Sequence, residues 1–259
     1  MLSETQQNYS KSYINLILTL AYKNVKVRYK NSILGFFWSL LSPLIFLMIF
    51  VTVFSNVFSD IENYPLYALT GLIFWIFFSS TTIQIIGSVL ESAGILKSVN
   101  IPPIIFPISS LVASLINLLL SFIPFIILMY FFGFKVSFNT LWIFPVLLNL
   151  ALFTFGFSLI MCSLNVFFRD IGMFWNSLLP AFFYFTPIAY SVKMLPEETR
   201  WILKLNPLFH YFENIRDVLY LNTAPSTYYV ITSLLLTISF LGTGIIIFKK
   251  LEKGFISNY

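Results

Sequence analysis

NYPLYALTGLIFWIFFSSTTIQIIGSVL, residues 63–90, contains no Asp, Glu, Lys, Arg or His. It exceeds the ~20 apolar residues that a helix needs to cross a hydrocarbon core. A backbone in lipid must satisfy its own hydrogen bonds, and a run this long and this apolar does not suit a barrel strand. The stretch predicts a membrane-spanning helix near 66–90. Uncharged stretches recur on either side of it, at 31–59, 98–134, 136–168, 171–192 and 218–248. Together they predict six transmembrane helices, near 33–58, 66–90, 104–132, 141–167, 172–191 and 229–248. The gap at 98–134 is too short for two spans, and Pro102, Pro103 and Pro107 mark its start. Pro180 and Pro187 make the fifth span the most prone to kink.

Composition agrees. Of 259 residues, 58% are hydrophobic, 19% aromatic and 10% charged, with mean hydropathy +0.88. Soluble domains carry about 25% charged residues, and a water-soluble globule could not cover its surface with so few. The fold class is an all-α polytopic membrane protein, organised as one domain. Disorder, a disulfide scaffold and a collagen-like chain are excluded. Cys162 is the single cysteine and His210 the single histidine, which excludes a CxxC site or a multi-His metal site within one chain.

Six spans place both termini on one side. If that side is the cytoplasm, the inner segments hold Lys11, Lys23, Lys26, Arg28, Lys30, Lys97, Arg169, Lys249, Lys250 and Lys253. The outer ones hold Lys135, Lys193, Arg200, Lys204 and Arg216. Cytoplasmic loops of membrane proteins are enriched in Lys and Arg, so the two-to-one excess favours this orientation. It also explains the net charge of +5 without a nucleic-acid partner. The opening MLSETQQNYSKS lacks the basic start and cleavage site of a signal peptide.

Residues 1–32 form the predicted cytoplasmic interface segment. Within 13–30, Asn15, Thr19, Lys23, Lys26 and Lys30 share one helical face, and Ile14, Leu18, Ala21 and Val25 gather opposite. That pattern suits a helix lying along the membrane surface. Arg28 breaks the pattern, though its stem can snorkel. Spans one to five occupy 33–191, an extracytoplasmic segment 192–228, span six 229–248 and a cytoplasmic tail 249–259. The outer segment differs in kind, with eight charges between Lys193 and Asp217. Pro196 before Glu197-Glu198 starts a helix well, and Asn206-Pro207 interrupts it. Two short helices on the outer surface are expected there.

Absences narrow the chemistry. No lysine follows a glycine, so the chain has no phosphate loop for ATP hydrolysis. The span interiors hold no Asp, Glu, Lys, Arg or His, which argues against proton-driven transport. Glu197-Glu198 suits a helix dipole better than acid–base work, and Arg169-Asp170 suits a topological anchor. No catalytic residue and no metal site is expected. The 31 Phe, 14 Tyr and 5 Trp suit lipid-facing rings and interfacial belts. The sharper alternative is an aromatic path along which sugar faces pack, with Trp38, Phe74, Trp75, Phe182, Tyr184 and Phe185 as candidates.

Five segments in order carry a resemblance. AYKNVKVRYKNSILGFFWSLLSPLIFLMIF (21–50) resembles the opening of type-2 ABC exporter permeases of the polysaccharide group, through Arg28, Tyr29, Lys30, Ser32, Leu34, Gly35, Trp38 and Pro43. ESAGILKSVNIPPIIFPISS (91–110) is similar to the family's cytoplasmic loop, through Leu96, Lys97, Pro102 and Pro107. Pro102-Pro103 stands where the family commonly has an aromatic-proline pair. NVFFRDI (165–171) resembles the loop after span four. FTPIAYS (185–191) and LNPLFHYFENIRDVLY (205–220) resemble the outer-leaflet region, through Pro187, Asn206, Pro207 and Arg216.

Within that family the chain resembles the channel subunit of O-antigen or teichoic-acid exporters, of the Wzm type. The resemblance implies a homodimer in the bacterial cytoplasmic membrane, paired with two separate ATPase subunits that hold ATP and Mg. It implies a polyprenyl-diphosphate-linked glycan as substrate. The loop at 91–103 would dock on the ATPase through Glu91, Ile95, Leu96 and Lys97. Lys23, Lys26, Arg28 and Lys30 would lie near that interface. Pro187, Asn206, Pro207 and Arg216 would belong to an outer gate. A permease exporting lipids or drugs shares the architecture, and the large extracellular domains of some lipid exporters are absent, which favours the glycan reading. A membrane-embedded glycosyl- or acyltransferase would need a polar catalytic cluster that is not found.

Overall fold

The computed structural model describes residues 2–30, 37–134 and 136–255. Ten α-helices and no strand occur among them. They are α1 (Leu2–Tyr29), α2 (Phe37–Phe54), α3 (Tyr64–Glu91), α4 (Ala93–Ser98), α5 (Ile105–Phe131), α6 (Ile143–Phe167), α7 (Asp170–Phe185), α8 (Arg200–Lys204), α9 (Pro207–Leu219) and α10 (Thr227–Leu251).

Local chemistry sets the boundaries. Asn63 turns the chain with φ 51°, and Pro65 sits in the first turn of α3, where its missing N–H costs nothing. Ser137 and Thr140 form a reciprocal capping box in the 3₁₀ turn that leads into α6. Asp170 places a carboxylate at the start of α7. That helix ends at Phe185, because Thr186 precedes Pro187 and is pushed into extended backbone. Asn206 caps α9 through its Oδ1, which accepts from the Leu208 N–H at 3.0 Å, and Pro207 takes the first helical position.

Among the described residues, four helical segments are long and apolar enough to cross a membrane: Tyr64–Ser98, Ile105–Phe131, Phe138–Phe167 and Thr227–Gly254. They match expected spans two, three, four and six. The other two are shorter than expected. α2 has 18 residues and α7 has 16, and residues 33–36 of the first expected span lie outside the described residues.

α3 is the hub, packing against α2, α5, α6, α7 and α9. Phe74, Phe77 and Phe78 of α3 are buried with Phe153 of α6 and Tyr211 and Phe212 of α9. A second cluster at the other end of α3 joins Ile85, Val89 and Leu96 to Phe106, Cys162, Phe248 and Phe255, and Leu20 of α1 packs onto it. α1 and the end of α10 therefore meet at the same end of the bundle as α4.

α6 and α10 approach so closely that glycine is needed. A Cβ on Gly156 would lie 2.5 Å from the Leu241 N and Cα, and Gly244 abuts the Gly156 carbonyl. Small residues let membrane helices associate by close backbone packing. The same pair is stitched by amides and hydroxyls. Asn149 Nδ2 donates to Ser233 Oγ at 2.9 Å, and Thr237 Oγ1 donates to Asn149 Oδ1 at 2.7 Å.

α1 packs along α5, and the Tyr29 hydroxyl donates to Asn117 Oδ1 at 3.1 Å. The apolar stripe expected at Ile14, Leu18, Ala21 and Val25 is only partly the packed one. Ala21 is buried and Val25 half-buried, whereas Ile14 and Leu18 are exposed. Leu16, Ile17, Leu20 and Asn24 are covered instead. The helix thus carries a protein-facing stripe beside an uncovered apolar one, and the sequence pattern merged the two.

Candidate functional site

The four residues expected at an outer gate converge. Arg216 on α9 is only 5% exposed. Its Nη2 donates to the backbone oxygens of Pro187 and Ile188, the latter at 3.2 Å. Its Nη1 donates to Glu213 at 2.9 Å, and its guanidinium lies 4.1 Å above the Tyr67 ring on α3. Asn206 Nδ2 donates to Thr186 Oγ1 at 2.8 Å and to the Phe185 carbonyl at 3.3 Å. α3 makes room for this loop at Gly71, where a Cβ would come within 2.6 Å of the Ile188 oxygen. The carbonyls of Phe185, at the end of α7, and of Pro187 and Ile188, in the loop after it, are thus satisfied by two side chains from the start and end of α9. A buried charge requires such pairing.

Two short helices were expected on the outer surface between spans five and six, and only α8 has that character. α9 is inserted among α3, α6 and α10, with Leu208, Phe209, Phe212, Ile215, Val218 and Leu219 all buried. The reason lies in how its polar groups are used. Tyr211 donates to the Ser233 oxygen at 2.8 Å and Asn214 to Ser233 Oγ at 3.1 Å. Asp217 accepts from the Ser226 N–H at 2.9 Å, while burial pushes its carboxyl up. Charges that read as solvent-facing are spent on internal partners. His210 bonds through Nε2 to the Lys204 oxygen at 3.2 Å among Phe209, Tyr228 and Tyr229. Its surroundings are those of a packing residue.

The expected docking loop contains a real helix, α4, but its register differs from expectation. Leu96 is 5% exposed and packs into the chain's own core with Val89, Phe106 and Phe248. It is not free to enter a groove on another protein. Ile95 is 37% exposed and Val99 is also exposed, as are Glu91 and Lys97. These residues form the exposed face.

The six aromatic candidates do not share one surface. Phe74 and Trp75 are buried, edge-on to Phe122 and Phe183 respectively. Phe182 and Phe185 are half-buried near Trp175 and each other. Tyr184 is 74% exposed and Trp38 is 50% exposed. Trp38 lines a cavity of about 240 Å³ with Arg28, Tyr29, Ser42, Ser114 and Asn117. Lys23, Lys26, Arg28 and Lys30 are all exposed.

Sequence reasoning missed the polar pins. Trp175 Nε1 donates to Thr82 at 2.9 Å, tying α7 to α3. Asn165 donates to the Ile86 oxygen at 3.1 Å and accepts from the Gly172 N–H at 2.9 Å. Asn117, Asn149 and Asn165 are isolated amides within apolar runs. That alone could have marked them, since polar groups in a span need partners.

The described helices form a bundle around an apolar hub, with a buried cation beside the loop that follows α7 and the short helix α4 at the opposite end, the architecture of a polytopic membrane domain. Residues 15–220 match the ABC-2 type transporter family, and the chain belongs to it. Its relatives include an O-antigen export system permease protein, RfbA, of Klebsiella pneumoniae, 34% identical over 96% of this chain and 97% of the relative. A second Klebsiella pneumoniae protein of that name is 32% identical over 96% and 97%. A Myxococcus xanthus protein of the same name is 28% identical over 82% and 83%.

Proposed function

We propose that this chain is the membrane-channel subunit of an ATP-driven exporter that moves polyprenyl-diphosphate-linked, O-antigen-like polysaccharide outward across the bacterial cytoplasmic membrane. The observation that carries the reading is the near full-length similarity to O-antigen export permeases. Two copies of the chain pair with two ATPase subunits, which hold ATP and Mg. The chain crosses the membrane six times with both termini in the cytoplasm, and 192–228 faces outward. It performs no chemistry of its own.

Energy enters through α4. A polymer cannot cross hydrocarbon unaided, and the chain has no phosphate loop, so ATP hydrolysis on the partner must press on the Ile95–Val99 face. Trp38 and Tyr184 are the exposed members of the aromatic set and the ones positioned to meet substrate. Interfacial Arg28, with Lys23, Lys26 and Lys30, favours the anionic cytoplasmic leaflet.

Deleting the gene in its host should abolish long surface polysaccharide, and the tagged chain should co-purify with a separate ATP-binding subunit. Unchanged surface polysaccharide after deletion would overturn the reading. Ile95→Asp should reduce co-purification at least about tenfold, the effect of ~1.4 kcal/mol, while the chain still folds. Leu96→Asp should instead lose the fold, because it buries an unpaired charge.

The orientation has its own test. Cys162 is fully buried, so the native chain should give little background with an impermeant maleimide. Thr199→Cys should label in intact cells and Ser98→Cys only after lysis. Labelling of Ser98→Cys in intact cells would reverse the assignment.

A further inference from the structure

The end of the bundle opposite α4 holds a second cavity, of about 420 Å³, within the ~300–1,000 Å³ usual for small-ligand sites. Three connections build it: α2 to α3, α5 to the 3₁₀ turn, and α9 to α10. The described residues with left-handed φ are Asn63, Gly133 and Asn222, one in each connection, and all three line the cavity. The rim is cross-tied. Asn63 Nδ2 donates to the Phe132 oxygen at 2.6 Å, Asn139 Nδ2 to the Asn222 oxygen at 3.0 Å, and the Tyr220 hydroxyl to the Glu62 oxygen. The cavity is therefore held open by the loops' own hydrogen bonds.

Its lining mixes two kinds of group. Phe132, Phe134 and Tyr220 supply half-buried rings. Glu62 supplies a carboxylate that makes no ion pair among the described residues. Asn63 spends its amide N–H on Phe132 and keeps its side-chain oxygen as an acceptor. No described lining residue is basic, which disfavours a phosphate. Hydrogen-bond acceptors beside aromatic faces match a polyol whose hydroxyls donate while its C–H face rests on a ring.

We infer that this cavity is a saccharide subsite at the outer mouth, taking one neutral sugar residue of the chain being exported; this rests on the export reading above. Tyr220 connects it to the latch. Its ring stands edge-on to Tyr67 at 5.2 Å, and Tyr67 carries Arg216 on its face. A sugar seated against Tyr220 is thus two side chains from the contact that holds the 186–190 loop to α9.

The test uses the full chain in nanodiscs and saturation-transfer NMR with methyl glycosides of glucose, galactose, mannose and N-acetylglucosamine. At least one should receive saturation. The signal should fall about fivefold in Phe134→Ala and in Glu62→Gln, as for losing one ring face or one charged hydrogen bond. It should persist in Leu235→Ala, on the outward face of α10. Leu221 lines the cavity and is exposed, so Leu221→Cys gives a second measurement that does not depend on the pocket variants folding. The bound glycoside should slow its maleimide labelling. No transfer and no protection with any of the four sugars would overturn the subsite, as would signals equal in wild type and both pocket variants. Saccharide binding with surface polysaccharide intact after gene deletion would instead overturn the export reading and leave the subsite standing.

Discussion

Arg216→Met is expected to lower stability by roughly 3–5 kcal/mol, the range for breaking a buried ion pair by removing one partner. The loss has three sources. The Pro187 and Ile188 oxygens lose their donor, Glu213 loses its counter-charge, and Tyr67 loses the cation on its face. Arg216→Lys should recover only part of this, because a single ammonium cannot serve Glu213 and two carbonyls while lying flat on a ring. Glu213→Gln should be milder, since Glu213 is partly exposed and its attraction is weakened by solvent. Size-exclusion of detergent-solubilised protein after graded heating would rank the variants. A midpoint for Arg216→Met equal to wild type would show that the loop at 186–190 is held by something else.

The second large effect lies between α6 and α10. Gly156→Leu places side-chain atoms where backbone atoms of Leu241 already stand, 2.5 Å from the new Cβ. Overpacking usually costs about 1–3 kcal/mol, and more where the obstacle is backbone that cannot rotate away. Separating the helices would also part Asn149 from Ser233 and Thr237. Gly156→Leu should therefore leave almost no monodisperse protein. Gly242 lies on the same helix with nothing near its would-be Cβ. Gly242→Ala should be neutral or slightly stabilising, because alanine favours helix by ~1 kcal/mol over glycine. Equal yields of Gly156→Leu and wild type would refute the close approach.

The helical fold was legible because charge-free length is a strong signal. Four of the expected spans coincide with long helices, and their ends fall where Pro, Asn and the flanking charges suggest. What sequence did not reveal is direction. Ile95 and Leu96 are adjacent and equally apolar, and a six-residue helix is too short for periodicity to say which one faces inward. The aromatic set failed to separate for a similar reason: a Phe in the core, such as Phe74, and a ring facing outward, such as Tyr184, satisfy the same hydropathy. α9 was expected on the surface rather than packed among other helices, because Glu213, Arg216 and Asp217 read as a wet face. The partners that allow their burial are largely backbone groups, and no residue pattern encodes those. The residues expected at an outer gate were singled out through family resemblance. The reason they belong together, two carbonyls left open in the loop that follows α7, is visible only in three dimensions.

The brevity of α7 reaches beyond the protein itself. Its 16 residues, at 1.5 Å each, span about 24 Å, against a hydrocarbon thickness near ~30 Å. The missing distance is taken up by the 186–190 loop and the inserted α9, neither of which offers lipid a continuous apolar wall. Acyl chains beside α7 must shorten or tilt to match, at a cost of fractions of a kcal/mol per ångström of mismatch. Where α7 faces lipid, the bilayer on that flank would thin toward it, and a hydrophilic cargo leaving there would have less oil to clear. Membrane thickness would then bear on how this flank fits its surroundings, and thickness is set by the cell's fatty acids as well as by this gene.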